Sequence, residues 1–346
     1  MKSVRDFNLK GKKVLVRCDF NVPLNQKGDI LDDFRIEAAL PTIQYLIGQE
    51  AKAILMSHLD DPGGKFVERL RLTKVRDRLS ECLDFPIAKT DDCLGPEVES
   101  RTERMRPKEV LLLENLRFHS EEEAGDLKFA EKLSKFGEIF LNDAFGTSHR
   151  DHASFKVARY LPCGSGLLLE KEIEVLAKIR ENADRPLVVI LGGKPKGIES
   201  KIRFLDSISA KADFILLGNL VDDELKKMGF KLGEPKKLIS PVDSSEGFDI
   251  GPKTIELFKE KISLAKTVFW SGPLGKIEED KFSVGSREVA KVIVESGAFS
   301  VAGGGETTWF LRKTNLSKKF SHLSTGGDAL LIFLSGEKLP AVEVLK

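Results

Sequence analysis

The chain predicts an α/β protein of two domains, each a parallel sheet flanked by helices in a Rossmann-like arrangement. Three observations carry that expectation. Short aliphatic runs alternate with longer amphipathic stretches along all 346 residues, as parallel strands do with their crossover helices. The length exceeds what one ordinary core serves and suits two. Polar residues gather directly after the aliphatic runs, where open α/β sheets place their ligands.

In chain order, strands are expected over residues 14–16, 53–56, 110–113 and 139–141, then over 187–191, 214–217, 267–270 and 299–302. Between the two groups, Leu168, Ile173, Leu176 and Ile179 recur at helical spacing, so residues 167–182 are expected to form an interdomain helix. The boundaries follow: a first domain over 1–166, the connecting helix over 167–183, and a second domain over 184–334. The tail, 335–346, is expected to pack back on the first domain.

Lys plus Arg number 55 against 54 Asp plus Glu, a net charge of +1. No global field would attract nucleic acid or an anionic membrane, and neither is an expected partner. Cys18, Cys82, Cys93 and Cys163 lie far apart with no paired metal spacing, which suits reduced thiols in a cytoplasm and argues against zinc. The N-terminus is charged and the aliphatic runs fall short of a membrane span. A cytoplasmic monomer is expected.

The first half carries a candidate anion site. Arg17, Asp19 and Asn21 alternate after the first aliphatic run and so share a face; three such groups would be costly in a dry core, and a cleft is the economical explanation. Arg35, Ser57-His58, Glu114-Asn115 with Arg117, Asn142-Asp143, and His149-Arg150 with His152 are further polar groups of this half. Arg35, Arg117 and Arg150 would then surround one small polyanion, for which the guanidinium fork is suited. Singly, each arginine is better explained by a surface ion pair; coincidence at several strand ends favours the site. The five histidines offer no metal-ligand spacing, and His119 and His322 read as structural.

The second half carries two glycine-rich loops. Gly192-Gly193-Lys194-Pro195-Lys196-Gly197 follows one expected strand but is no Walker motif, and a plain connecting turn is its alternative. Gly303-Gly304-Gly305-Glu306-Thr307-Thr308 stands at a strand-to-helix junction, where glycines allow close backbone approach and a helix start offers amides to an anion. A tight packing turn would leave the same signature.

Arg17 to Pro23, Asp32 to Ile36, Ser57-His58-Leu59, Leu112 to Phe118, Asn142 to His152 and Ser324-Thr325-Gly326-Gly327 together resemble the phosphoglycerate kinase family, over nearly the whole chain. The resemblance implies reversible phosphoryl transfer in glycolysis between 1,3-bisphosphoglycerate plus ADP and 3-phosphoglycerate plus ATP, with magnesium on the nucleotide and hinge closure between domains. It assigns phosphoglycerate contacts to Asp19, Asn21, Arg35, His58, Arg117 and Arg150, and transfer chemistry to Arg35, Lys196 and Lys201. Nucleotide contacts fall on Lys196, Lys201, Gly218, Glu278, Gly303, Gly304, Gly305, Glu306 and Thr307, with Glu306 serving the magnesium. The lysine loop is two residues longer than usual, so Lys194 competes with Lys196.

Several positions depart from the family pattern. Asp60-Asp61-Pro62 replaces Gly-Arg-Pro, so Asp61 is expected to turn away from a phosphate or be shielded by Lys65. Glu306 stands for Asp, Ser271 for Asn and Asp328 for Gly, and Gly218-Asn219-Leu220-Val221 replaces a glycine run before Met. Residues 233–247 are shortened, as if a helix and a hairpin had been trimmed. These departures leave a non-catalytic sensor or scaffold as the alternative to an active kinase.

Overall fold

Six parallel strands build the first sheet: β1 (Lys13–Arg17), β2 (Lys52–Met56), β3 (Ile87–Lys89), β4 (Val110–Leu112), β5 (Ile139–Asn142) and β6 (Cys163–Ser165), in the order β3-β4-β2-β1-β5-β6. The computed structural model describes every residue except Lys196 and divides into two units, Met1–Ile173 with Lys338–Lys346, and Glu174–Glu337. Within β1, Val14 pairs with Ala53 on one side and Ile139 on the other. Both faces of β1 are covered, and Val14, Leu15 and Val16 are fully buried, as an aliphatic run in a parallel sheet requires.

The second unit repeats the plan. Its sheet contains β7 (Leu187–Leu191), β8 (Phe214–Leu217), β9 (Leu238–Ile239), β12 (Thr267–Ser271), β13 (Phe299–Gly303) and β14 (His322–Ser324), in the order β14-β13-β12-β7-β8-β9. A separate antiparallel pair joins β10 (Ser244–Ser245) to β11 (Asp249–Ile250). Trp270, Phe258, Val188 and Ile190 lie at the heart of its core. The two parallel sheets flanked by helices are the expected fold.

Every expected strand is present. The four parallel strands that periodicity did not reveal, β3, β6, β9 and β14, are the four sheet edges. At the end of the shortened region β10 and β11 form a minimal antiparallel pair. There the Asp243 carboxylate accepts the Lys253 and Thr254 amides at 3.0 and 2.8 Å, capping the helix Pro252–Ser263.

The helix Leu167–Asn182 forms over the expected span. Asp143, just past β5, receives its first amides: Leu168 N donates to Asp143 Oδ1 at 3.0 Å and Leu169 N at 3.2 Å. The C-terminal segment belongs to the first unit. Asn142 Nδ2 donates to the Ala341 carbonyl at 2.9 Å, Ala341 N donates to the Ser148 carbonyl at 3.1 Å, and Leu339, Val342 and Leu345 are buried.

Candidate active site

The carboxyl ends of β1, β2, β4 and β5 deliver the arginine set of the first unit. Arg35 stands in the first turn of the helix Phe34–Gly48. Its Nη1 donates to Asp19 Oδ1 and to the Asn21 carbonyl, both at 3.0 Å, so the guanidinium is anchored by one edge while a quarter of the side chain stays exposed. Asn21 Oδ1 accepts the Asp60 amide at 2.8 Å. The Asn115 carboxamide binds the Leu59 and Arg117 amides through Oδ1 and the Leu59 and Leu70 carbonyls through Nδ2. That one side chain staples the loop after β2 to the turn Leu116–Phe118.

Arg117 donates through Nη1 to the Asp60 carbonyl at 2.9 Å and pairs with Glu123 at 3.2 Å. Its buried Nε has no hydrogen-bond partner among the described residues. A buried cationic donor without an acceptor is costly, and a phosphate or carboxylate oxygen would satisfy it. Arg150 is exposed. His58 and His152 are buried; burial, then the nearby Arg17 and Arg117, hold the His58 pKa well below the ordinary histidine value and push His152 down to about 3. Both rings are neutral at pH 7.

Arg17 does not share the cleft with Asp19 and Asn21, contrary to the alternation along the sequence. It closes β1 fully buried, with Nε on Ser154 Oγ at 2.8 Å and Nη2 at 3.6 Å from Glu122. Past Arg17 the chain is no longer a strand, so period-two alternation no longer applies. Asp61 is exposed and accepts the Gly63 amide at 3.3 Å; its carboxylate is engaged in its own turn. His119 pairs with Asp92 at 2.6 Å beside the buried Cys93, and the three potential ligand atoms lie within 4.8 Å of one another, a grouping invisible in residue spacing.

In the second unit, the ends of β7, β8, β12 and β13 surround a cleft of about 300 Å³. Gly193, Lys194, Gly218, Lys276, Glu278 and Glu306 line its polar side, and Leu220, Phe248, Pro273 and Leu274 its apolar side. Lys194 Nζ lies 2.8 Å from Glu306 Oε1 and 3.4 Å from Glu278 Oε1. Lys196 lies outside the described residues. Lys201, from the helix Ile198–Ser209, donates to the carbonyls of Gly192 and Lys194 at 2.9 and 2.7 Å. Burial lowers its pKa to about 8, partly offset by the Glu306 and Asp328 carboxylates.

The glycine triplet divides its labour. A Cβ on Gly303 would meet Leu330 Cδ2 at 2.2 Å, whereas Gly305 has nothing within 4 Å. Packing against Leu330 therefore leaves no room for a side chain at Gly303. Gly304, at φ +91°, gives its amide to the Gly326 carbonyl at 2.9 Å. Thr307 is buried and its hydroxyl accepts the Gly272 amide at 2.9 Å, so it shapes the Gly272 turn. Gly192 and Gly272 meet backbone to backbone, with no room for a side chain on either. Leu220 belongs to the Gly218-Asn219-Leu220-Val221 departure, whereas Phe248 was missed by motif reasoning; the available signal was a large apolar residue amid polar neighbours.

Among the described residues no helix is long and apolar enough to cross a membrane. Two α/β units, one ending in anchored arginines and the other in a lysine- and glycine-lined cleft, define a phosphotransferase of small-molecule substrates. The family model described as "Phosphoglycerate kinase" matches residues 4–238 and 222–337; the chain belongs to the phosphoglycerate kinase family. It is 43% identical to a phosphoglycerate kinase of Dictyoglomus turgidum, over 99% of this chain and 98% of the relative, and 41% identical to one of Borrelia hermsii, over 100% and 99%. The Dictyoglomus alignment spans 390 positions against 346 residues here, so the relative carries segments this chain lacks. The fold superposes on the phosphoglycerate kinase structure from Pyrococcus horikoshii with a TM-score of 0.90 at 31% identity, covering 100% of this chain and 98% of that one. The Coxiella burnetii structure gives 0.80 at 32%, covering 99% and 98%.

Proposed function

We propose that the chain catalyses reversible phosphoryl transfer between 1,3-bisphosphoglycerate plus ADP and 3-phosphoglycerate plus ATP. The observation that carries this reading is Arg35, fixed by Asp19 and Asn21 with part of its guanidinium open, beside an Arg117 whose Nε awaits an acceptor. Asp19, Asn21, Arg35, His58, Arg117 and Arg150 hold the phosphoglycerate. In the direction of ATP use, a carboxylate oxygen of 3-phosphoglycerate attacks the γ-phosphorus, the bond to the bridging oxygen of ADP breaks, and an acyl phosphate forms. The nucleophile carries no proton, so no general base is needed; preorganised positive charge from Arg35 and Lys201 supplies the stabilisation.

The nucleotide occupies the cleft of the second unit. Its base lies against Leu220, Phe248, Pro273 and Leu274, its ribose against Glu278, and its phosphates near Lys201, Lys194 and the open Gly305 turn. Lys194 between two carboxylates supports it as a phosphate-facing cation, and Lys196 remains a second candidate. Glu306 fits a magnesium ion held chiefly by nucleotide phosphates: it is a half-exposed carboxylate at a helix start, already facing a cation at 2.8 Å. Bound there, the ion would neutralise phosphate charge. We place the enzyme in the cytoplasm as a monomer.

A coupled assay with 3-phosphoglycerate, ATP and magnesium tests the reading. Turnover is expected, and Arg35→Ala is expected to lower kcat by about 100- to 1000-fold with the fold intact. No turnover above a heat-inactivated control, in folded protein, would overturn it. Lys194→Ala and Lys196→Ala, compared for the KM of ATP, identify the loop lysine.

A further inference from the structure

We propose that Arg17 is a positioning residue that locks the His58 imidazole in its neutral Nε2–H form, so that Nε2 donates a hydrogen bond to the anionic substrate. The proposal rests on the reading that His58 belongs to the phosphoglycerate site. Arg17 Nη2 lies 3.2 Å from His58 Nδ1. A guanidinium has five N–H donors and no lone pair. Nδ1 must therefore present its own lone pair to Arg17, and the ring proton is left on Nε2. The opposite tautomer, or the imidazolium, would set N–H against N–H.

Arg17 is held so that this contact cannot drift. Its Nε donates to Ser154 Oγ at 2.8 Å, its Nη1 donates to the Cys18 carbonyl, and its guanidinium carbon lies 5.2 Å from the centre of the Phe155 ring. Ser154 in turn is clamped by Glu122: Ser154 Oγ donates to Glu122 Oε1 at 2.6 Å and Ser154 N to Glu122 Oε2 at 2.8 Å. Arg17, Ser154 and Glu122 are all fully buried. The relay Glu122, Ser154, Arg17, His58 thus runs from the interior to the strand end that carries the substrate groups.

The surroundings point the same way. Besides Arg17, the charged or titratable groups acting on His58 are Arg117, Arg35 and His152, and with burial they disfavour a charged ring. His58 Nε2 makes no hydrogen bond among the described residues. A bare Nε2 lone pair would repel phosphate or carboxylate oxygen; an N–H attracts it, with direction and without adding charge to an already cationic site. Glu122 makes this possible by balancing Arg17, since an unpaired guanidinium in that position would be prohibitive.

The tautomer is read on the unaltered protein, labelled with 15N-histidine, by long-range proton–nitrogen correlation, with His58 assigned by loss of its signals in His58→Gln. At neutral pH, Nε2 is expected to be protonated and Nδ1 bare. A protonated Nδ1, or an imidazolium, overturns the proposal and needs no variant to fold. The double variant Arg17→Met with Glu122→Gln removes both charges together, leaving no lone buried ion. There His58 is expected to populate both tautomers, with KM for 3-phosphoglycerate raised about tenfold and kcat within about twofold. A raised KM with the tautomer unchanged would make Arg17 a structural residue only and overturn the proposal. Absence of turnover in the unaltered protein, with Nε2–H present, would overturn the functional reading and its substrate contact while leaving the Arg17–His58 lock standing.

Discussion

Lys201 shows how a single residue couples burial to ligand charge. Half-buried against the Gly192 and Lys194 carbonyls, it has a pKa lowered to about 8, so part of its charge is already lost in mildly alkaline solution. An arriving phosphate favours the charged form and raises that pKa. Nucleotide binding at about pH 8.5 is therefore expected to take up protons, and affinity to fall as pH rises from about 7 to 9. Calorimetry in two buffers of different ionisation enthalpy measures the uptake; Lys201→Met should abolish it, and equal heats for the unaltered protein would refute the assignment. Lys201 was reached only through the family resemblance; Arg35 was legible because a permanent charge at a helix start has few reasons to be there. Arg17 was not, because nothing in its sequence position distinguishes an arginine aimed at a ligand from one aimed at Glu122. Phe248 was hidden for the opposite reason: an apolar residue reads as core, and only the fold leaves this one 48% exposed in a cleft.

Strands were legible in proportion to their burial. Inner strands such as β1 and β7 are covered on both faces, and their aliphatic runs Val14–Val16 and Leu187–Leu191 are fully buried. The edge strands β3, β6, β9 and β14 have one neighbour each and run as Ile-Ala-Lys, Cys-Gly-Ser, Leu-Ile and His-Leu-Ser, short sequences that satisfy a sheet edge without any aliphatic run. The helix Leu167–Asn182 was legible from its spacing, but its cap was not, because Asp143 lies far upstream in sequence and reaches the helix start only through the end of β5. Burial raises the Asp143 pKa to about 7, against the pull of its hydrogen bonds to Thr42, Leu169 and Leu168. In the unfolded chain the group ionises near its ordinary value of 3.8, so the folded state binds the extra proton between the two. Its contribution is full below the unfolded value and is lost as pH rises through about 7. Asp143→Asn keeps the acceptor oxygen without the charge, and is expected to match the parent in acid yet exceed it by about 1 kcal/mol above neutrality. Urea unfolding at both pH values decides this; a variant weaker than the parent in alkaline solution would show that the ionised carboxylate is the better cap.

At the scale of the molecule, the chain leaves its first unit within the helix Leu167–Asn182, completes the second, and returns at Lys338. The returning segment Lys338–Lys346 is not an appendage. Ala341 exchanges hydrogen bonds with Asn142 and Ser148, the residues that close β5 and lead to Arg150 and His152, and Ala341 packs with Ala144 and Phe155. Phe155 in turn faces the Arg17 guanidinium. The last residues of the chain thus brace the interior behind the proposed phosphoglycerate site, whereas every residue proposed for the nucleotide lies within Glu174–Glu337. Truncation after Glu337 should accordingly act on one ligand and not the other. Losing the buried Leu339, Val342 and Leu345 side chains is expected to cost the first unit about 3 kcal/mol or more, after allowance for the entropy of ordering the segment. Phosphoglycerate affinity should fall with it, while ATP affinity, measured by titration of the same truncated protein, should stay within about twofold, because the second unit keeps its sheet, its cleft and both glycine-rich turns. Parallel loss of both affinities would mean that the two units do not hold their ligands independently; an unchanged urea midpoint would mean that the tail carries no part of the first unit's stability.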